Sequence, residues 1–203
     1  MRNILEKEVP THDEVIDIAN NIKRRRTRAL FVIAYLTGGR INEILPKKYI
    51  LRQKLDKETG LLTKWRERID YPGIMKKNIE FIQNKGRDFI LIKMLNEKNL
   101  KQHIKRVPFP IDKEKELVFH LQSFINRLQP NDVLFPFSDV TAWSRLKRKT
   151  GFNPHFMRHM RTTHLITLYK LQDHLIVKYM GWTDARPLSK YAHLRWTDIA
   201  DAM

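Results

Sequence analysis

Near the C-terminus, His155, Arg158 and His159 open one run of mixed apolar and polar residues, Gly181-Trp182 close a second, and Tyr191 stands nine residues beyond Trp182. Amphipathic packing alone does not require polar residues at these spacings. His155 and Arg158 are three apart, so on a helix they share a face and can grip one small anion. Far upstream, Arg40 and Glu43 repeat that spacing in TGGRINEIL. A guanidinium presents paired donors in fixed geometry and does not lose its charge, which suits it to phosphate oxygens. Two arginines, a histidine that can hold or move a proton, an indole N–H that only donates and a phenolic hydroxyl make up the parts of a metal-free phosphoryl-transfer site.

Arg40-x-x-Glu43, His155-x-x-Arg158-His159, Gly181-Trp182 and Tyr191, in this order and at these separations, resemble the signature of the tyrosine recombinases, the phage-integrase family of site-specific DNA recombinases. Each element alone is common by chance. Their concatenation between about Thr11 and Trp196 carries the resemblance. It implies an α+β, mainly helical catalytic domain with a small three-stranded antiparallel sheet. It also implies action on double-stranded DNA through a 3′-phosphotyrosyl intermediate, no cofactor, and self-association into a tetramer on DNA.

Roles follow from the same resemblance. Arg40 and Arg158 would clamp the non-bridging oxygens, His155 would bond phosphate or shuttle a proton, and Tyr191 would be the nucleophile. Trp182 stands where the family carries His or Trp and would bind or pack. Glu43, a carboxylate that repels phosphate unless paired, would orient Arg40 or His155, and His159 would bond the backbone around the site. In the family a lysine on the β-hairpin protonates the leaving 5′ oxygen. Lys93, Lys98, Lys101 and Lys105 are the lysines available, and Lys98, in the tip sequence Asn96-Glu97-Lys98-Asn99, is the expected donor. Family members commonly carry an N-terminal DNA-binding domain, which is expected to be absent here, leaving one catalytic domain over 1–203. Two other functions stay open: relaxation of supercoiled DNA by the same chemistry, as in type IB topoisomerases, and non-catalytic, architectural DNA binding.

Composition points to a polyanionic partner. The chain has 39 Lys and Arg against 22 Asp and Glu, a formal charge of +17. Nucleic acid is the first candidate for such an excess and an acidic membrane surface the second. The absence of cysteine removes disulfides, thiolate nucleophiles and Cys-based zinc sites. His155 and His159 are four apart, as in a metal-binding helix, with His164 and His174 beyond. Yet Phe156 stands where an H-E-x-x-H motif has its glutamate, and Arg158 puts a positive charge in the same turn, so no metal is expected. The longest apolar run, Ala29 to Leu36, is too short to span a bilayer, and Met1 to Thr11 does not read as a secretory leader. A cytoplasmic, DNA-associated location is expected.

The candidate residues need elements to position them. Thr11-His12-Asp13-Glu14 reads as a capping box ahead of an apolar face through Ile22. Thr27 to Leu36 is apolar nearly all round, as expected of a helix at the centre of a core. Gly38-Gly39 ends it, and Arg40 begins a further helix to Leu45. Residues 46–71 are charged and lack clear periodicity, apart from a turn at Thr59-Gly60, and part of them is read as an insertion. Strands are expected over Asn78–Gln83, Asp88–Met94 and Lys105–Phe109, the first two joined at Asn84-Lys85-Gly86. Helices are expected over Lys113–Leu128, from a Ser138 cap to Lys149, over His155–Tyr169 and over Asp173–Met180, then a short one with Pro187 in its first turn that carries Tyr191. Thr197 to Met203 reads as a last helical turn or two.

Overall fold

The computed structural model describes residues 9–56, 58–97 and 104–191. The fold is organised around helix α2 (Arg25–Thr37), in which every residue from Ala29 to Thr37 is buried. A helix without a polar face must be covered on all sides. Helix α1 (His12–Asn21), opened by the Thr11/Glu14 capping box, covers part of it. Helices α4 (Lys115–Ile125) and α6 (Pro154–Thr167) pack along the rest. From α4 the stripe Leu117, Val118, Leu121, Phe124 and Ile125 enters this core.

Gly38 ends α2 in the left-handed conformation, with φ 54°, a region that costs glycine nothing sterically. Arg40 is the N-cap residue of the one-turn helix α3 (Ile41–Ile44). The expected three-stranded sheet is present. Strands β3 (Ile79–Asn84), β4 (Arg87–Leu95) and β5 (Ile104–Pro110) pair antiparallel in the order β3-β4-β5, with Ile79 opposite Ile92 and Ile92 opposite Val107. Helix α5 (Asp139–Thr150), capped by Ser138 and stopped by Gly151, α6 and α7 (Asp173–Met180) complete the framework. A 3-10 helix (Arg186–Tyr191) carries Tyr191. The expected turn over Thr197–Met203 lies outside the described residues.

Residues 46–71 correct the sequence reading. They form a second sheet, the antiparallel hairpin of β1 (Lys47–Leu55) and β2 (Leu62–Tyr71), closed by the expected turn around Thr59-Gly60. Alternation is present in β1 but inverted. Tyr49, Leu51 and Leu55 face outward, while Ile50 and Arg52 are buried. Arg52 is accepted inside because its guanidinium bonds the Glu67 carboxylate and, at 3.1 Å, the Glu97 carbonyl.

A buried polar network ties the helices together behind the site. The Glu114 carboxylate, just before α4, accepts bonds from Arg161 Nη1 (2.6 Å) and the Tyr169 hydroxyl and pairs with His12 Nε2 (2.9 Å). Arg161 lies under the rings of Tyr35, Tyr169 and Tyr179. The Tyr179 hydroxyl donates to the Leu36 carbonyl, so Tyr179 is a core tyrosine with a satisfied hydroxyl, while Tyr169 is half-buried against the core with its hydroxyl likewise bonded. His164 bridges the Tyr35 hydroxyl (2.7 Å) and the Pro10 carbonyl (2.9 Å). No described helix is long and apolar enough to cross a membrane.

Candidate active site

Arg158 lies in the second turn of α6, whose start is fixed by Asn153 Oδ1 accepting the Phe156 N–H at 2.8 Å and by Pro154 at the first helical position. The residue is 5% exposed, and its guanidinium donates to the Gly38 carbonyl (2.7 Å) and the Met180 carbonyl (2.9 Å). These oxygens end α2 and α7, where helix carbonyls lack intrahelical partners and the helix dipole is negative. Gly181, with φ 68°, turns the chain away so that the Met180 carbonyl is left open. The Trp182 ring lies against the same guanidinium, 5.3 Å from centroid to Cζ. Trp182 therefore packs against Arg158. Burial, together with the neighbouring Arg40 charge, pulls Arg158 down to about 10, still protonated at neutral pH.

Glu43 joins the two ends of the site. Its carboxylate is fully buried and accepts from Arg40 N (3.0 Å), Arg40 Nη1 (3.1 Å), Lys105 Nζ (2.9 Å) and Glu97 N (3.3 Å). Burial pushes this carboxyl up, but Lys105, Arg40 and Arg158 together hold it below the usual range. Burial and the two arginines also push the Lys105 ammonium down, against the pull of Glu43. Three cations thus surround one carboxylate. The cluster keeps an excess of positive charge that an incoming anion would neutralise.

Arg40, His155 and Arg158 line one open cleft of about 430 Å³, together with Ile41, Trp143, Asn153 and Pro154. The two arginines are therefore brought to the same place from α3 and α6. Burial, then Arg158 and Arg40, depress the His155 imidazole, which stacks edge-on against His159 at 4.8 Å. His159 was expected to bond backbone; among the described residues the bond its ring makes is to a side chain. Its Nδ1 pairs with the Tyr191 hydroxyl at 2.5 Å, because the 3-10 helix folds Tyr191 back over α6. Burial and the charge on His155 lower His159 to about 4, so at neutral pH the ring is neutral, and its Nε2–H tautomer is the one that accepts the phenol's hydrogen bond at Nδ1. Tyr191 is 8% exposed and is not among the residues lining the cleft. Burial raises its phenol, against bonding to Thr162 and the charge of Arg158.

Lys98 and Lys101 lie outside the described residues. Lys93 is spoken for by Glu80 on the neighbouring strand. Lys105, 3% exposed, was visible in the strand alternation, since it shares parity with the buried Val107 and Phe109. Trp143 was missed altogether. It is an exposed aromatic on the basic α5, with Lys147 one turn on lying 4.7 Å over its ring.

No protein-family model and no curated protein matches the sequence. Two solved structures of the XerH site-specific recombinase are similar in fold. One is a pre-cleavage complex with difH substrate (TM-score 0.57, 18% identity, covering 95% of this chain and 53% of that one). The other is a post-cleavage complex with palindromic difH (TM-score 0.59, 17% identity, 97% and 53%). The chain thus spans about half the length of those recombinases, and at this identity the likeness is one of fold.

Proposed function

We propose that this chain is the catalytic domain of a site-specific DNA recombinase of the tyrosine type, cleaving and rejoining double-stranded DNA through a 3′-phosphotyrosyl intermediate. The observation that carries the reading is the convergence of Arg40, His155 and Arg158 on one cleft, with the Tyr191 hydroxyl held by the next ring along, His159. The site-specific recombinase fold and the +17 charge support the same substrate class.

In this mechanism a scissile phosphate enters the cleft and its non-bridging oxygens meet Arg40 and Arg158, with His155 bonding one of them. The Tyr191 oxygen attacks phosphorus, its proton passing to His159 Nδ1, and the P–O5′ bond breaks as the P–O(Tyr) bond forms. The departing 5′ oxygen takes a proton, for which Lys98 on the β4–β5 connection is the proposed donor. One phosphate ester replaces another, so rejoining is the same step reversed. Glu43 and Lys105 stay out of contact with DNA and hold Arg40 in place. Assembly of four copies on two duplexes, and a DNA-associated cytoplasmic location, complete the proposal.

The test is incubation with nicked duplexes followed by denaturing electrophoresis. A protein–DNA band is expected that disappears in Tyr191→Phe and persists in Tyr169→Phe, a tyrosine bonded to Glu114 away from the cleft. Arg158→Ala should slow its formation by about 100- to 1000-fold, the scale of one lost oxyanion donor. A wild-type chain that gives no band, or a band that survives Tyr191→Phe, sinks the assignment. One observation favours a non-cleaving DNA-binding module instead: the Tyr191 hydroxyl is buried and bonded to His159 rather than open to the cleft. That reading predicts salt-sensitive binding with no adduct in the same experiment. Plasmid relaxation by the single chain without recombinant products would indicate topoisomerase-like action.

A further inference from the structure

The β1–β2 hairpin has its apolar parity on the outside. Leu51 is 63% exposed and Leu55 59%, whereas Arg52 on the opposite face is 4% exposed. Across the strands, the register sets Tyr49 opposite Arg68, Leu51 opposite Arg66 and Gln53 opposite Lys64. The outward face is therefore two rows, Tyr49, Leu51, Gln53 and Leu55 in one and the cations Arg68, Arg66 and Lys64 in the other. Lys64 and Arg66 have no ion-pair partner among the described residues, and Arg68 pairs with Asp70, itself exposed.

The position of this face adds a second constraint. An open cleft of about 410 Å³ lies at the root of the hairpin, where Tyr49, Leu51 and Arg66 face Asn42 of α3 and Ser138 and Asp139 at the start of α5. The candidate catalytic cleft uses the other residues of the same two helices, Ile41 of α3 and Trp143 of α5. The two clefts thus flank α3 and α5 and lead from the arginine pair to the hairpin.

We infer that the outward face of the β1–β2 hairpin is a second DNA-binding element, which holds the duplex next to the cleavage position. This inference rests on the proposed recombinase function for its substrate. A two-stranded ribbon, with strands ~4.8 Å apart, fits the ~12 Å major groove. Residues alternating along a strand advance ~6.7 Å, close to two base steps, so Lys64, Arg66 and Arg68 can each reach a phosphate or a guanine edge. The adjacent Tyr49 and Leu51 row meets sugars and thymine methyl groups. On the buried inner face, Arg52 anchors the ribbon to the Glu97 carbonyl, and the Glu97 N–H in turn bonds Glu43.

The test compares the wild-type chain with the triple variant Lys64→Gln, Arg66→Gln, Arg68→Gln, using a fluorescein-labelled mixed-sequence duplex of several helical turns. Anisotropy titrations are run across a salt series. The variant should bind about 10-fold or more weakly at physiological salt, and its log K against log salt slope should shrink by roughly 2–3. A control variant of equal charge change, Lys77→Gln, Lys85→Gln, Lys113→Gln, should keep both within twofold. Equal losses in both variants would reduce the effect to net charge and overturn the inference. So would an unchanged triple variant, or a concentration-dependent dimer that the hairpin substitutions abolish while DNA affinity stays the same. Covalent adduct formed by the triple variant at saturating DNA separates the two proposals: hairpin binding can fail while Tyr191 chemistry persists, and the reverse.

Discussion

Glu43 is the residue on which the candidate site's geometry turns. It is a fully buried carboxylate with three cations around it and a backbone N–H from Glu97. Replacing it with the isosteric Gln removes the charge and turns an amide donor toward Arg40 or Lys105. Breaking such a buried pair costs about 3–5 kcal/mol, and urea unfolding of Glu43→Gln should show a loss on that scale. Lys105→Met removes the other partner, and in the double variant neither charge is stranded, so the two losses should not add. A Glu43→Gln chain within about 1 kcal/mol of wild type would show that the pair contributes no more than an exposed one. Adduct formation by Lys105→Met is expected to fall less than by Arg158→Ala, because Lys105 acts through Glu43 and Arg40 rather than on phosphate.

Among the elements, those with punctuation were legible in the sequence. Thr11 with Glu14, Ser138 with Gly151, and Gly181 after α7 each mark a helix end by satisfying or redirecting backbone groups, and the helices fall where these residues put them. Lys85-Gly86, both at positive φ, likewise set the β3–β4 turn. The hairpin of β1 and β2 was not legible, since its buried parity holds Arg52 and its exposed parity holds leucines. The His159–Tyr191 bond depends on how the 3-10 helix folds back, which local pattern does not encode. The α6 network carries its own pH signature. Burial lowers His164 to about 4, and its neutral form donates to Pro10 and accepts from Tyr35. An unfolded histidine titrates near ~6.5, so this stabilisation is complete above that value and is lost as pH falls toward 4, a difference of roughly 2–3 kcal/mol by about pH 4.5. Urea titrations should show the wild type losing that much more stability than His164→Gln between these conditions. Parallel losses in both chains would place the acid sensitivity elsewhere.

Across the whole molecule, stability and charge are distributed unequally. The centre is α2, covered on every side by α1, α4 and α6, with the Arg161–Glu114 network locking three of these helices behind it. The margin is the two-stranded hairpin, an arrangement that is marginal in water by itself and here buries Ile50 and Arg52 alone among the residues of β1 and β2 whose burial is described. Local opening free energies in a folded chain run from near zero at such margins to the global value at the centre. Native-state hydrogen exchange should therefore find α2 amides opening only with global unfolding and the outer β1–β2 amides opening first, with the β3–β4–β5 sheet between them. Added duplex DNA should slow the hairpin amides selectively and leave those of α2 unchanged, because a groove-bound ribbon loses its freedom to open while the core is already closed. Hairpin amides as slow as those of α2 without DNA would show that the body of the domain holds this arm rigidly. Amides indifferent to DNA, in a chain that binds DNA through the catalytic cleft, would leave the arm outside the DNA-bound surface.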